Sequence, residues 1–165
     1  MKLLFISLGC DKNLVDSEEM LGMLAADGHE IVDDEDEAEV IIVNTCCFIG
    51  DAKEESVNTI LEMAEKKKAG TCKVLIVTGC MAQRYKKEIS EEIPEVDAIL
   101  GTTSYGDISK AVKEAQAGRH FEEYKSIDFL PDISGKRMLT TGGHFAYLKI
   151  AEGCDKHCTY CIIPR

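Results

Sequence analysis

The chain has 165 residues, of which 45% are hydrophobic and 30% charged, and its formal net charge is −11. This length fits one compact domain with a short extension. No apolar run approaches the ~20 residues that a membrane span needs, so a transmembrane function is excluded. The acidic balance argues against a general nucleic-acid binder, because phosphate contacts need clustered Lys and Arg. It fits either simple solubility or a basic partner.

Strand-like and helix-like segments alternate along the first 125 residues. Short apolar runs predict buried strands, and apolar residues at helical spacing before a glycine or proline predict helices. Strands are expected at 2–8, 29–32, 40–43, 73–78 and 98–100, with helices at 13–27, 51–69, 83–92 and 104–117. In the second helix, the expected core residues are Val57, Ile60, Leu61 and Ala64. The alternation predicts an α/β fold, doubly wound around a mostly parallel sheet.

The α/β pattern ends near Lys125, so residues 1–125 are predicted to form the first domain. Residues 126–143 contain Pro131, Gly135 and a Gly-Gly pair with few apolar residues, which indicates a linker. Residues 144–151 then predict the first strand of a second, incomplete unit at 144–165.

The N-terminus does not predict a secretory signal. Its apolar run at residues 3–6 is shorter than the ~7–15 residues of a signal core, so we expect a cytoplasmic protein. A reducing compartment favours metal or redox use of the eight cysteines over disulfides.

Three cysteines lie close together near the C-terminus, in the pattern C-x3-C-x2-C. Cys154, Cys158 and Cys161, called here the loop cysteines, can bind one metal centre, either zinc or an iron–sulfur cluster. A structural zinc site needs four ligands, and the local candidate for the fourth, His157, would crowd Cys158. A cluster with three cysteines keeps one iron open, as catalysis requires. The spacing favours iron–sulfur and leaves zinc as the alternative.

Three further cysteines each follow a strongly predicted strand. Cys10, Cys46 and Cys80, called here the strand-end cysteines, are expected to meet at one edge, because parallel strands end at the same side of a sheet. Gly9 and Gly79 permit tight turns just before two of them. Each cysteine would also lie near a helix N-terminus, which favours the thiolate. The pattern predicts a shared site; the alternative is three thiols that are simply buried.

Two cysteines remain outside these groups. Cys47 is an alternative ligand to Cys46, since successive residues point in opposite directions. Cys72 precedes its strand, so we expect it at the far edge of the sheet, away from the site.

Two stretches of the chain resemble the radical-SAM methylthiotransferases. The sequence SLGCDKNLVDSE at 7–18, with NTC at 44–46 and TGC at 78–80, is similar to their N-terminal domain. The sequence KIAEGC at 149–154, continued through CIIPR at 161–165, is similar to the opening of their radical-SAM domain. The resemblance implies a Rossmann-like or flavodoxin-like first domain, a linker, and the first strand and ligand loop of a barrel.

The resemblance also implies the cofactors. The strand-end cysteines would hold one [4Fe–4S] cluster, whose open iron carries or donates sulfur. The loop cysteines would hold a second [4Fe–4S] cluster that binds S-adenosylmethionine and cleaves it to a radical that abstracts hydrogen from carbon. Tyr160 would pack near the adenine, and a second S-adenosylmethionine would supply the methyl group. A flavodoxin or ferredoxin would act as the reductant.

The residues around Cys10 favour one subfamily. The pattern S-L-G-C-x-K-N resembles the RimO type, which modifies an aspartate β-carbon in a small-subunit ribosomal protein, whereas the tRNA-modifying MiaB type usually has T-x-G-C-Q-M-N. A basic ribosomal protein is therefore the expected substrate, with tRNA as the alternative. Five polar residues match positions around the family's first cluster, or else serve as helix caps and loop hydrogen-bonding groups. They are Asn13, Asp16, Ser17, Asn44 and Arg84.

The family continues with a barrel, which alone takes ~200 residues or more. We therefore expect these 165 residues to be an incomplete piece that does not turn over alone. Other classes remain as alternatives. The loop cysteines with His157 would suit a non-enzymatic zinc module. A thiol redox protein would need a C-x-x-C near the first strand, and a nucleotide binder a G-x-G-x-x-G or phosphate loop; the sequence has neither.

Overall fold

The computed structural model describes residues 1–130, 137–161 and 163. Its centre is a six-stranded sheet in the order β2-β1-β3-β4-β5-β6, in which every paired strand is parallel to its neighbour. The strands are β1 Lys2–Ser7, β2 Glu30–Ile31, β3 Val40–Thr45, β4 Val74–Gly79, β5 Ala98–Leu100 and β6 Phe121–Glu123. The predicted α/β fold with a doubly wound parallel sheet is confirmed.

Helices cover both faces of this sheet. They are α1 Asp11–Ala26, α2 Gly50–Lys68, α3 Cys80–Arg84, α4 Lys86–Glu92 and α5 Ile108–Gln116, with a 3-10 turn at Tyr105–Asp107. Residues of α2, α3 and α4 share one hydrophobic core, and residues of α1 and α5 share the other. No helix in the described ranges combines the length and apolarity needed to cross a bilayer.

The central strands are buried along their whole length. In β3, Ile41 and Val43 belong to the core on one face, whereas Val40 and Ile42 belong to the core on the other. Alternate side chains therefore enter two apolar layers, which explains why the strand is a continuous apolar run rather than an alternating one.

The strand order reverses between β1 and β3. The chain leaves β1 toward β2 on one side, then crosses back to place β3 on the other side of β1. In this fold such a switch point opens a crevice at the carboxyl ends of the strands, where sites form. The register pairs Ser7 with Asn44 and Thr45 with Gly79, so β1, β3 and β4 end level with one another.

Several predicted elements differ from the observed ones. Helix α1 begins at Asp11, two residues earlier than predicted, and the helix predicted at 83–92 is split into α3 and α4 at Tyr85, where φ is −114° and ψ is 34°. In α2 the buried residues include Ser56 and Met63, whereas Val57 and Leu61 are exposed. The buried face of α2 is therefore rotated about the helix axis relative to the predicted face.

The C-terminal part also departs from prediction. Residues 144–151 form no strand, and apolar side chains such as Leu148 and Ile150 are 83% and 89% exposed. A strand needs a partner edge, and propensity alone does not supply one. Within 126–143, the described residues contain no helix or strand, and the predicted linker residues Pro131 and Gly135 lie outside them.

Candidate functional site

The strand-end cysteines come together at the switch point. Cys10 is the N-cap of α1, Cys46 follows β3 directly, and Cys80 opens α3. A Cβ atom placed on Gly9 would lie 3.3 Å from the Cβ of Cys46, which brings the turns after β1 and β3 into contact. Three thiols that are far apart in sequence therefore share one edge of the sheet.

The three thiols differ in environment. Cys10 is exposed, Cys80 is half-buried and Cys46 is buried. Burial raises the pKa of Cys80 to about 11, the nearby groups of Cys47, Cys46 and Cys10 raise it too, and Lys12 opposes them. Burial, the largest cause of the raised pKa of Cys80, runs against the expected preference for the thiolate at the start of α3, a helix of only five residues.

Asn13 connects the ends of β3 and β4. Its Nδ2 donates to the carbonyl oxygen of Thr45 at 3.0 Å, and its Oδ1 lies 3.7 Å from the Sγ of Cys80. Its own carbonyl oxygen accepts a bond from Asn44 Nδ2 at 3.1 Å. One buried residue on α1 thus contacts the end of β3 and the first residue after β4.

A second group of polar side chains supports Asn13. The Oγ of Ser17 donates to the Asn13 carbonyl at 2.8 Å and accepts from Asn44 Nδ2 at 2.9 Å. It also lies 2.8 Å from the Oγ of Ser7, at the end of β1. Asn13, Ser17 and Asn44 are therefore internal cross-links behind the cysteines. None of the three caps α1, whose N-cap is Cys10.

The glycine before Cys80 adopts a backbone conformation that side chains avoid. Gly79 has φ +95° and ψ −159°, a region populated almost only by glycine. A Cβ there would lie 2.6 Å from the carbonyl oxygen of Thr45. Gly79 therefore lets the chain turn sharply out of β4 while staying against β3, which sets the position of Cys80.

Ser56 holds the backbone at Cys46 and was not anticipated from the sequence. Its Oγ accepts the amide of Cys46 at 3.0 Å and lies 2.9 Å from the carbonyl oxygen of the same residue. Ser56 is fully buried on α2. A serine in place of an apolar residue on the buried face of a helix is a weak sequence signal that could have indicated it.

Positive side chains lie near Cys47 although the chain as a whole is acidic. Arg84 and Lys53 both lower the pKa of Cys47, although burial of that thiol is the larger influence and raises it. Cys47 is thus close enough to the site to remain an alternative to Cys46. Cys72 is buried beside the start of β4, where its Sγ lies 3.1 Å from the carbonyl oxygen of Val74, at the opposite edge of the sheet.

Asp16 is paired with two lysines. Its carboxylate binds Lys12 at 3.0 Å on α1 and Lys149 at 2.5 Å from the C-terminal segment. Of the five polar residues expected around the first cluster, Asn13, Ser17 and Asn44 form the support, Arg84 acts through its charge, and Asp16 has a different set of contacts.

The loop cysteines lie in irregular chain. Cys154 and Cys158 are exposed and Cys161 is half-buried, with a turn closed by the Cys161 amide on the Cys158 carbonyl at 3.1 Å. Tyr160 is 90% exposed. The structure therefore leaves the predicted adenine-packing side chain open to solvent.

Thiolate sulfur is the donor that iron–sulfur clusters require. Across the described ranges, no group of three His, Cys, Asp or Glu side chains is arranged to hold one metal ion. An iron–sulfur cluster does not need its three thiolates to converge on one ion, because each thiolate binds a different iron atom. The thiols at the three strand ends have the donor chemistry of a cluster site, and glycine turns and buried side-chain amides support the backbone next to them.

Comparison with known proteins agrees with the fold and motifs. Residues 2–101 match the model of "Uncharacterized protein family UPF0004". The chain is 63% identical over its whole length to "Ribosomal protein uS12 methylthiotransferase RimO" of Lachnoclostridium phytofermentans and 51% identical to the protein of that name from Clostridioides difficile. The protein of that name from Geobacter sulfurreducens is 49% identical over 99% of the chain.

The chain spans 38%, 37% and 37% of the lengths of these three relatives. The family match covers the strand-end cysteines, and the relatives align through the loop cysteines as well. The chain therefore belongs to this family as an N-terminal domain of the RimO type, which confirms the resemblance drawn from its sequence.

Proposed function

We propose that the chain carries the cysteine sets of a radical-SAM methylthiotransferase that adds a methylthio group to an aspartate β-carbon of a small-subunit ribosomal protein. The observation that carries this proposal is the convergence of three thiols from three strand ends at the switch point. The names of the relatives support the ribosomal protein uS12 as the substrate.

The proposed role of the strand-end cysteines is to hold a [4Fe–4S] cluster with one open iron. The loop cysteines would hold a second one, together with S-adenosylmethionine beside Tyr160. When bound, such clusters supply electrons and an open coordination site for sulfur or for the sulfonium cofactor. The chain's own contribution is rigidity: Asn13 and Ser56 fix the backbone near the ligands. Lys12, Lys53 and Arg84 place positive charge near thiolates that carry negative charge.

The charge of the chain supports a basic protein substrate. A net charge of −11 attracts a basic ribosomal protein and repels the phosphates of tRNA. Eight free cysteines fit the reducing cytoplasm, where a flavodoxin or ferredoxin would be the electron donor.

The test is the iron and acid-labile sulfide content of the chain after anaerobic reconstitution. We expect about four iron atoms for each occupied three-cysteine set. The variant Cys10→Ala/Cys46→Ala/Cys80→Ala should lose about four iron atoms. Cys72→Ala is the matched control, because it removes a thiol at the opposite edge of the sheet and should leave the iron content unchanged.

Two results would contradict the proposal. Iron content that is the same in the triple variant as in the wild type would remove the strand-end cluster. A colourless chain with about one zinc, lost on substitution of the loop cysteines, would favour a zinc-binding module instead.

A further inference from the structure

A buried carboxylate on α1 anchors the segment that follows the first domain. The side chain of Glu18 is 0% exposed. Its Oε2 accepts a bond from Arg137 Nε at 2.6 Å, and its Oε1 accepts from the amide and the hydroxyl of Thr140 at 2.6 and 2.8 Å. The Glu18 carbonyl oxygen also accepts the amide of Met138 at 2.9 Å. Burial of a carboxylate demands such partners, and these all come from residues 137–140.

A second carboxylate, nearby on α1, anchors the segment again. Asp16 binds both Lys12 and Lys149, and Glu152 also binds both lysines, with a distance of 2.9 Å between Lys12 Nζ and Glu152 Oε2. The result is a ring of four alternating charges. The Lys149 ammonium also lies 4.8 Å from the ring centre of Tyr105, a cation–π contact.

The two anchors belong to one docked segment, residues 137–152. The Nη1 of Arg137 donates to the carbonyl oxygen of Tyr147 at 2.7 Å, which connects the first residue of the segment to its second half. Asp16 and Lys149 have only 6% and 11% of their side chains exposed, so their attraction is screened less than that of a surface pair. Charged hydrogen bonds with defined geometry fix the register of the segment on α1.

This ring joins the two cysteine groups. Lys12 is two residues after Cys10, and Glu152 is two residues before Cys154. Because two residues span at most about 7 Å of chain, the Lys12–Glu152 ion pair ties Cys154 to the neighbourhood of Cys10. Residues 137–151 contain no helix or strand, so without these contacts they would allow many positions of Cys154.

We propose that Asp16 and Glu18 are positioning residues that dock residues 137–152 on α1 and so hold the loop cysteines beside the strand-end cysteines. The purpose assigned to this docking rests on the proposed function. The docking itself does not, and it can be measured without a cluster.

The experiment is cross-linking between the exposed thiols Cys10 and Cys154 in the metal-free 165-residue chain. A short bis-maleimide is added under reducing-agent-free, anaerobic conditions, and the Cys10–Cys154 product is quantified by peptide mass spectrometry. In Asp16→Asn/Glu18→Gln we expect this product to form roughly tenfold more slowly, because both anchors lose their charge. Glu62→Gln, which neutralises an exposed carboxylate on α2, is the control and should match the wild type.

A second double variant tests whether a slower cross-link comes from lost docking or from lost folding. Arg137→Met/Lys149→Met changes residues of the docked segment only and substitutes no residue of α1 or the sheet. We expect the same slowing of the cross-link with an unchanged circular dichroism spectrum. The single variant Lys149→Arg, which keeps the charge and the native Arg137, should retain most of the wild-type cross-linking rate. A rate within twofold of the wild type in the natively folded Arg137→Met/Lys149→Met variant would overturn the proposal.

Iron content separates this proposal from the proposed function. Arg137 and Lys149 are not among the residues that support the strand-end cysteines, so iron held by those cysteines should be the same in Arg137→Met/Lys149→Met as in the wild type. A wild-type chain that binds no iron would refute the proposed function, while the cross-linking rates would still decide whether Asp16 and Glu18 position the loop.

Discussion

The two cysteine groups are held in opposite ways. The strand-end cysteines follow from the sheet itself: three buried parallel strands end level, and buried amides and hydroxyls fix the turns beyond them. The loop cysteines lie in chain without helix or strand, attached to α1 through side-chain charges. One group is positioned by the fold and the other by a few ion pairs, so the two should respond differently to mutation, reagents and acid.

The largest expected effect is on the turn into Cys80. Gly79→Ala should lower the free energy of unfolding by about 4 kcal/mol, since a Cβ would strain the backbone and press on the Thr45 carbonyl. Urea denaturation followed by circular dichroism measures this. Gly70→Ala is the control: Gly70 also has positive φ, +85°, but a Cβ there meets nothing within 4 Å. Its cost should be about 1 kcal/mol, and equal losses in the two variants would contradict this interpretation of the turn.

Thiol labelling should separate the two groups next. In the metal-free chain, exposed Cys154 should react with a maleimide at least about a hundredfold faster than buried Cys46, because Cys46 must await local opening of the fold. Mass spectrometry of time points gives both rates, and urea should abolish the difference. Similar rates in the native chain would mean that the edge of the sheet is open rather than ordered.

Removal of the Asn13 side-chain amide should have a smaller effect on the free energy of unfolding. Asn13→Ala leaves the buried carbonyl of Thr45 without its partner and should cost about 2 kcal/mol. Asn58→Ala, on the exposed surface of α2, should change the free energy of unfolding by less than about 0.5 kcal/mol. Denaturation curves of the two variants give the comparison, and a neutral Asn13→Ala would show that the strand ends do not depend on this residue.

The smallest expected effect is the weakening of the docking of residues 137–152 at acidic pH. Burial alone would raise the pKa of Glu18, but the hydrogen bonds from Thr140 and Arg137 more than offset it, so the net pKa is lowered. A carboxyl group of this kind adds stability above its unfolded value near 4.3 and loses it as the pH falls through the lowered folded value. Docking should therefore persist at pH 5 and weaken below about pH 4.

The amide resonance of Thr140, which donates to Glu18 Oε1, should report this titration in NMR spectra. Glu18→Gln should remove the transition, and resonances of β4 should not follow it. A Thr140 midpoint above about 4.3 would contradict the lowered pKa.

The sheet and its cysteine edge could be predicted because their signals are local. The apolar runs of β1, β3 and β4 are distinctive, and parallel pairing then places their ends together. Strand β6 has three residues, two of them glutamates, and gives no such signal. The break at Tyr85 and the rotated face of α2 depend on packing between elements, which short-range spacing does not encode.

The docking contacts were harder to predict because their partners are more than 100 residues apart. Glu18 gave one signal in the sequence. It is a charged residue on the helical face of α1 that also carries Leu14 and Leu21. Its partners at 137–140 carry no pattern of their own. The strand predicted at 144–151 was wrong for a related reason: its apolar residues found no sheet edge within the described chain.

The parallel topology also sets an order of events during biogenesis. Cys10, Cys46 and Cys80 are separated by 36 and 34 residues, and each interval contains a complete crossover that must form before the strand ends align. Under the proposed function, iron therefore cannot nucleate this fold in the way that zinc nucleates a zinc finger. The polypeptide would fold first and bind its cluster afterwards, so we expect the purified, metal-free chain to be natively folded already.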